Sequence, residues 1–139
     1  MANDINITVT ERHGRKLAST GSKWEPRMGY SRAVRCGNYI AVTGTVGINA
    51  DGTYPETLEA QTRRSLQIIC ASIQALGGNI EHVIRTRIYV IDVTKWEEVA
   101  KVHGEIFGQI RPATSLVEVA KLIDDDALIE IEAEAVVPH

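Results

Sequence analysis

The first and last thirds of the chain alternate apolar and polar residues, and two stretches between them carry apolar residues at helical spacing. Ile5, Ile7 and Val9 alternate ahead of His13-Gly14, which predicts a short amino-terminal hairpin turning at that pair. A loop bearing Gly, Ser and Pro is expected from Thr20 to Gly29, either as an ordinary surface loop or as a lid. Two strands follow, Tyr30 to Arg35 and Tyr39 to Thr45, joined by Gly37-Asn38, a pair that tolerates the positive φ of a two-residue turn. A second Gly-bearing loop covers Gly47 to Pro55.

From Thr57 the period becomes helical. Leu66, Ile69, Cys70, Ile73 and Leu76 form one stripe, and Gly77-Gly78 supplies the stop. His82 to Asp92 reads as a strand. A second helix is expected to start at Thr94 as N-cap, with Glu97 and Glu98 in its first turn. Trp96, Val99, His103 and Ile106 mark its expected buried side, and Gly108 ends it. Strands at Thr114 to Lys121 and Leu128 to Val137 flank an acidic turn, Asp124 to Asp126. This order predicts a single α+β domain over residues 1–139, with both helices on one face of a sheet.

The other sheet face then carries charge. Ile84, Thr86, Ile88 and Val90 share one side of their strand, and Arg85, Arg87 and Tyr89 the other. In the last strand Ile129, Ile131, Ala133 and Ala135 oppose Glu130, Glu132 and Glu134. Arginines on one strand and glutamates on another suggest cross-strand pairing, on a face that is either solvated or covered by a second subunit.

Composition narrows the function classes. The chain has 139 residues, 44% hydrophobic and 24% charged, enough for one core without a staple. A formal charge of -3 gives no electrostatic reason to expect nucleic acid, and Arg12 to Lys16 reads as a solvated basic turn. Cys36 and Cys70 are far apart in apolar stretches, where a buried thiol is the usual case. Met1 to Thr10 lacks the charge and apolar pattern of a secretory signal, and no run is long enough to span a bilayer. A cytoplasmic location is the expectation, with no membrane partner. The four histidines, His13, His82, His103 and His139, are scattered without ligand spacing, so neither metal nor cofactor is expected. His103 itself fits a histidine at the core edge or one lining a cleft. Gly44-Thr45-Val46-Gly47 does not open into a helix, and no nucleophile elbow is visible.

What remains is a polar cluster at strand ends. Glu118 and Glu130 are expected on adjacent strands near Thr114-Ser115, where a carboxylate against an apolar wall can move protons to or from water. Tyr30, at a strand start, can supply a hydroxyl.

At these residues the chain resembles a known family. The segments Gly29-Tyr30-Ser31-Arg32-Ala33-Val34, Val42-Thr43-Gly44, Gln61-Thr62-Arg63, the run Arg111 to Val119 and Ile129-Glu130-Ile131-Glu132-Ala133 are similar, in order, to the Rid family of imine/enamine deaminases, also labelled endoribonuclease L-PSP. The likeness covers a core of 30–137; residues 1–29, with the Trp24-Glu25-Pro26 loop, are less typical. The resemblance implies a chorismate-mutase-like subunit in a homotrimer, with small-metabolite clefts between subunits. It implies that Glu130 positions the attacking water and Tyr30 orients the substrate. Thr43 and Gly44 would shape the pocket, with Glu118, Leu116, Thr114, Arg87 and His103 around it.

One position departs from the pattern. The arginine that follows Pro-Ala in the deaminases, and holds the substrate carboxylate, is Thr114 here; the usual neighbouring cysteine is Leu116, and a helix asparagine is Ala100. A hydroxyl cannot replace a bidentate guanidinium, a loss of about 2–5 kcal/mol for a desolvated pair. Ordinary 2-imino acid deamination is therefore in question unless Arg87, Arg32 or Arg111 substitutes. A non-catalytic homotrimer that binds a metabolite or partner is the alternative, and ribonuclease activity a weaker third against the acidic balance.

Overall fold

The computed structural model describes residues 4–139; Met1 to Asn3, the first part of the stretch that lacks a secretory-signal pattern, lie outside the described residues. In chain order the elements are β1 (Thr8–Arg12), β2 (Arg15–Ser19), α1 (Trp24–Met28), β3 (Ala33–Cys36), β4 (Tyr39–Val46), α2 (Leu58–Ala75), β5 (Val83–Val90), α3 (Trp96–Phe107), β6 (Ala113–Glu118) and β7 (Ile129–Val136). Single 3-10 turns, Ile80–His82 and Val93–Lys95, lead into β5 and α3. One seven-stranded sheet runs β1-β2-β3-β4-β7-β5-β6, antiparallel throughout except for the parallel pair β5 and β6.

Alternation in β7 decides which face is covered. Ile129, Ile131, Ala133 and Ala135 are buried, together with Thr86, Ile88 and Val90 of β5. Leu66, Ile69 and Ile73 of α2 and Val99, Val102 and Phe107 of α3 complete the same cluster. Burying each such Leu, Ile or Phe side chain contributes about 1.5–3 kcal/mol, while a one-residue slip of β7 would turn three glutamates into the core. α2 begins where the Thr57 hydroxyl accepts from Ala60 N and ends at Leu76, with Gly77 at φ 87°.

Several expectations are corrected. The segment from Thr20 to Gly29 is not all loop, because residues 24–28 form α1. Pro26 is tolerated in this first turn, where the backbone N–H has no helical partner, and Gly29 closes the turn at φ 77°. Asp92, not Thr94, caps the start of the second helical segment by accepting from Thr94 N. The buried face of α3 centres on Val99, Val102 and Phe107, with Ile106 only partly buried, which leaves Trp96 on its flank, 51% exposed. Ile84 is also exposed: the β5–β7 register shifts between Val83 and Arg85, so Val83 takes the inward place. Cys36, beside the Gly37-Asn38 turn, is exposed rather than buried; Cys70 is half-buried.

Candidate functional site

The site grows from an irregularity in β4. Val42 pairs with Ala133 and Thr45 with Ile131, so Thr43 and Gly44 together stand against Glu132. Such a bulge bends a strand and re-aims its side chains. The Thr43 hydroxyl donates to Ser31 O at 2.6 Å, and the Thr45 hydroxyl donates to Thr43 O at 2.6 Å, which holds the bulge in shape. Gly44 lies directly under the Glu130 carboxyl: a Cβ there would stand 2.2 Å from Glu130 Oε2. Gly44→Ala is therefore expected to push the carboxyl out of place, cutting ligand affinity at least tenfold while the melting temperature moves only a few degrees. Titration calorimetry beside a thermal melt checks this.

Arg32 closes the other side of the bulge. Its Nη2 donates to Gly44 O at 3.1 Å, and its guanidinium carbon lies 5.7 Å from the centre of the Tyr30 ring. Tyr30 is placed by α1, since both Gly29 N and Tyr30 N donate to Glu25 O at 2.9 Å. Glu25 is itself buried and accepts from the Thr20 hydroxyl at 3.2 Å. Burial first, and then the negative Glu132, push the Glu130 carboxyl above the ordinary carboxylate range, while Arg32 pulls it back down. Glu130 is thus an acid that can hold a proton nearer neutrality than a surface carboxylate can.

A cavity of about 500 Å³ opens beside this group, walled by Tyr30, Ser31, Thr43, Val34, Leu17, Arg12, Arg15 and Glu25. Glu130 and Gly44 are not on its wall; they adjoin it through Thr43. The Arg12 to Lys16 stretch is therefore more than a solvated turn, because Arg15 faces this cavity with a buried Nε. Strand alternation with Leu17 is the signal that could have found it.

The expected site residues do not gather in one place. Glu118 and Glu130 are not on adjacent strands, since β5 lies between β6 and β7. Thr114, Leu116 and Glu118 align with Thr86, Ile88 and Val90, the covered side of β5, whereas Glu130 is on the open side. Thr114 Oγ1 lies 2.8 Å from Thr86 Oγ1, which lies 3.0 Å from His103 Nε2. The Thr114 hydroxyl also donates to Pro112 O at 3.2 Å. Burial pushes His103 below its usual value, which favours the neutral ring, and that ring lies 4.6 Å from Phe107. Leu116 packs against the core, and Glu118 accepts from Val93 N at 3.0 Å. Arg87 is occupied elsewhere on the open face: its Nη1 is 2.6 Å from Glu134 Oε2 and 3.9 Å from Glu132 Oε1. Tyr89 donates to the same Glu132 oxygen at 2.9 Å. This is the cross-strand ladder expected from β5 and β7.

Among the described residues no three His, Cys, Asp or Glu side chains come together as a metal site. Nor is any described helix long and apolar enough to cross a membrane.

Known proteins share this arrangement. The family described as Endoribonuclease L-PSP matches residues 20–137, leaving β1 and β2 ahead of the match. The chain is 34% identical over 111 residues to the 2-iminobutanoate/2-iminopropanoate deaminase of Escherichia coli, covering 77% of this chain and 86% of that one. It is 35% identical over 121 residues to an uncharacterized protein of Streptomyces coelicolor, covering 86% and 90%. Among solved structures, Rv2704 of Mycobacterium tuberculosis, a member of the YjgF/YER057c/UK114 family, superposes with a TM-score of 0.83 at 46% identity, over 88% of this chain and 99% of that one. The YjgF gene product of E. coli gives 0.72 at 34% identity, over 77% and 87%. The match over five of the seven strands and both long helices makes this chain a member of the endoribonuclease L-PSP family, the YjgF/UK114 or Rid family, with its chorismate-mutase-like α+β fold.

Proposed function

We propose that this chain hydrolyses a small imine or its enamine tautomer, with the Glu130 carboxyl as the group that moves the protons. The observation that carries this is the placement of Glu130: half-buried over the Gly44 bulge, raised above the carboxylate range, beside Arg32 and Tyr30. A protonated Glu130 gives its proton to the imine nitrogen, which makes the imine carbon electrophilic. The resulting carboxylate takes a proton from water as the water oxygen bonds to that carbon. Glu130 then returns that proton to nitrogen, the C–N bond breaks to release ammonia, and the hydroxyl proton passes to the Glu130 carboxylate, which leaves a carbonyl and restores the protonated acid, so one water is consumed per ammonia formed.

The two groups of expected site residues face opposite sides of one sheet, so a single copy does not complete the pocket. In this reading three copies pack their open faces together, and the Glu130 side of one copy meets the Thr114–His103 edge of the next. The open face, with the Arg87–Glu134 ladder and exposed Tyr39 and Val117, supports that assembly.

A second reading, a binding protein without turnover, is favoured by Thr114, whose hydroxyl is engaged by Thr86 and Pro112 and carries no charge. Ammonia release from freshly generated 2-iminobutanoate separates the two. Release by the unmodified protein, above the spontaneous rate, is the expected result. Silence from that protein, with activity gained in Thr114→Arg, would instead mean a deaminase pocket turned to another ligand.

A further inference from the structure

We propose that the amino-terminal hairpin builds a second binding site, for a phosphomonoester, in the cavity walled by Arg12 and Arg15. This site goes beyond the imine chemistry of Glu130 and does not depend on it. Both arginines lie ahead of residues 20–137, which carry the family match, so the family pattern does not account for them.

The hairpin turns on His13 at φ 55° and Gly14 at φ 75°, the left-handed pair that a two-residue turn needs. That tight turn sets Arg12 directly opposite Arg15 in the register of β1 and β2. Strand alternation puts Leu17 on the same side as Arg15, and Leu17 pairs with Val34 of β3; all four residues line the cavity. By the same alternation Glu11, opposite Lys16, belongs to the other side of the hairpin and is not placed to neutralise the two arginines. No carboxylate comes within 4.0 Å of either guanidinium among the described residues. Arg15 Nε is buried with no hydrogen-bond partner. Glu25, the acid on the cavity wall, is held at a distance: its Oε2 accepts from Thr20 N at 3.4 Å and from the Thr20 hydroxyl at 3.2 Å. Thr20 lies beyond the far end of β2, about 16 Å along the strand from Arg15.

Like charges directly opposite one another destabilise a sheet, and a buried N–H without an acceptor adds to that cost. The fold keeps both features beside a cavity of about 500 Å³, within the range of about 300–1,000 Å³ that takes whole small molecules. An anion seated between the two arginines removes both penalties. Charge and shape select its class. The arginines set two positive charges side by side, and a phosphomonoester brings about −1.5 to −2 at neutral pH. Its terminal oxygens point in three directions and accept from two separate guanidiniums, whereas a single guanidinium fork already fills a carboxylate. Leu17, Val34 and Pro26 make the rest of the wall apolar, which suits the organic body of an ester better than free phosphate.

The test uses phenyl phosphate, with phenyl sulfate as a probe of similar shape and a single charge, each titrated calorimetrically into the whole protein. The unmodified protein is expected to bind the phosphate at least tenfold more tightly than the sulfate. Arg12→Met and Arg15→Met should each weaken the phosphate by about tenfold or more, the usual effect of losing a hydrogen bond to a charged group. Lys16→Met, which removes a neighbouring charge from the other side of the hairpin, should change it less than twofold. Without ligand, Arg12→Met should melt no lower than its parent, because it relieves a like-charge pair; an arginine kept only for structure would not give that result. A parent that binds the phosphate no better than the sulfate overturns the proposal, as does undiminished phosphate binding by the two arginine variants. A loss in Lys16→Met as large as that in Arg15→Met overturns it too, since attraction would then be diffuse. An Arg15→Met protein that separates into smaller species also overturns it, because a carboxylate of a neighbouring copy would then be the partner.

Discussion

Gln61→Leu is expected to destabilise the protein by about 3–5 kcal/mol, the largest effect of any single substitution that leaves side-chain volume nearly unchanged. Gln61 is 1% exposed in the first turn of α2, on its buried face. Its Nε2 donates to Pro55 O and to Asp126 O, both at 2.9 Å, and its Oε1 accepts from Leu128 N at 2.8 Å. One side chain thus ties the loop before α2 and the acidic turn before β7 to the helix between them. Leucine fills the space but orphans three backbone groups, each costing about 1–3 kcal/mol when shielded from water. Gln61→Glu serves as the control: the same shape, with acceptors facing two carbonyls. Urea unfolding should show both variants with markedly lower midpoints, and a loss under 1 kcal/mol for leucine would mean that water satisfies these groups.

Glu130→Gln is expected to lower turnover by about a hundredfold to ten-thousandfold, the usual range for a positioned proton carrier. Glutamine keeps the shape above Gly44 but can neither release nor accept the proton that the reaction needs. Stability should move the other way. Glu130 has its carboxyl raised in the folded protein, so the folded state holds that proton more firmly than the unfolded chain does. Its contribution is most favourable below the ordinary carboxylate value and is lost as pH rises through the raised one. At neutral pH the folded protein therefore bears a poorly solvated charge that glutamine removes. The variant should melt at or above the parent at pH 7, with that advantage shrinking under acid. A variant that turns over substrate within threefold of the parent would remove Glu130 from the mechanism.

Much of the scaffold is legible in the sequence because one physical signal, alternation against a covered face, dominates it. The run from Ile129 to Ala135 has only one orientation that buries its apolar residues, and the Gly37-Asn38 and Gly77-Gly78 breaks are local. What resisted reading depended on neighbours distant in sequence. Ile84 follows the alternation of its own strand, and only the register shift against β7 turns it outward. Trp96 fits a helical stripe whose centre is fixed by where α3 meets the sheet. The order β7-β5-β6 places a strand between Glu118 and Glu130, a fact of topology that no spacing encodes. The family resemblance pointed to Glu130, Tyr30 and the Thr43-Gly44 strand, and these lie around one bulge, where Arg32 bonds Gly44 O and sits beside the Tyr30 ring.

The position of β7 has a consequence for how the protein comes into being. The last strand of the sequence lies between β4 and β5, and its four inward residues are the floor of the core. While a ribosome is still short of Ile129, the first 128 residues own two half-sheets, β1 to β4 and β5 with β6, that have no shared edge to pair on. Local pieces such as α2 and the amino-terminal hairpin can form early, but the contacts that join the halves are long-range and close only when β7 slides between them. Folding therefore waits for β7 and is nearly all-or-none, and until it occurs two unpaired strand edges, β4 and β5, are open to other chains. Nascent chains stalled before Ile129 should stay protease-sensitive throughout, and a chain arrested just after Val136 has cleared the exit tunnel should be the first to resist.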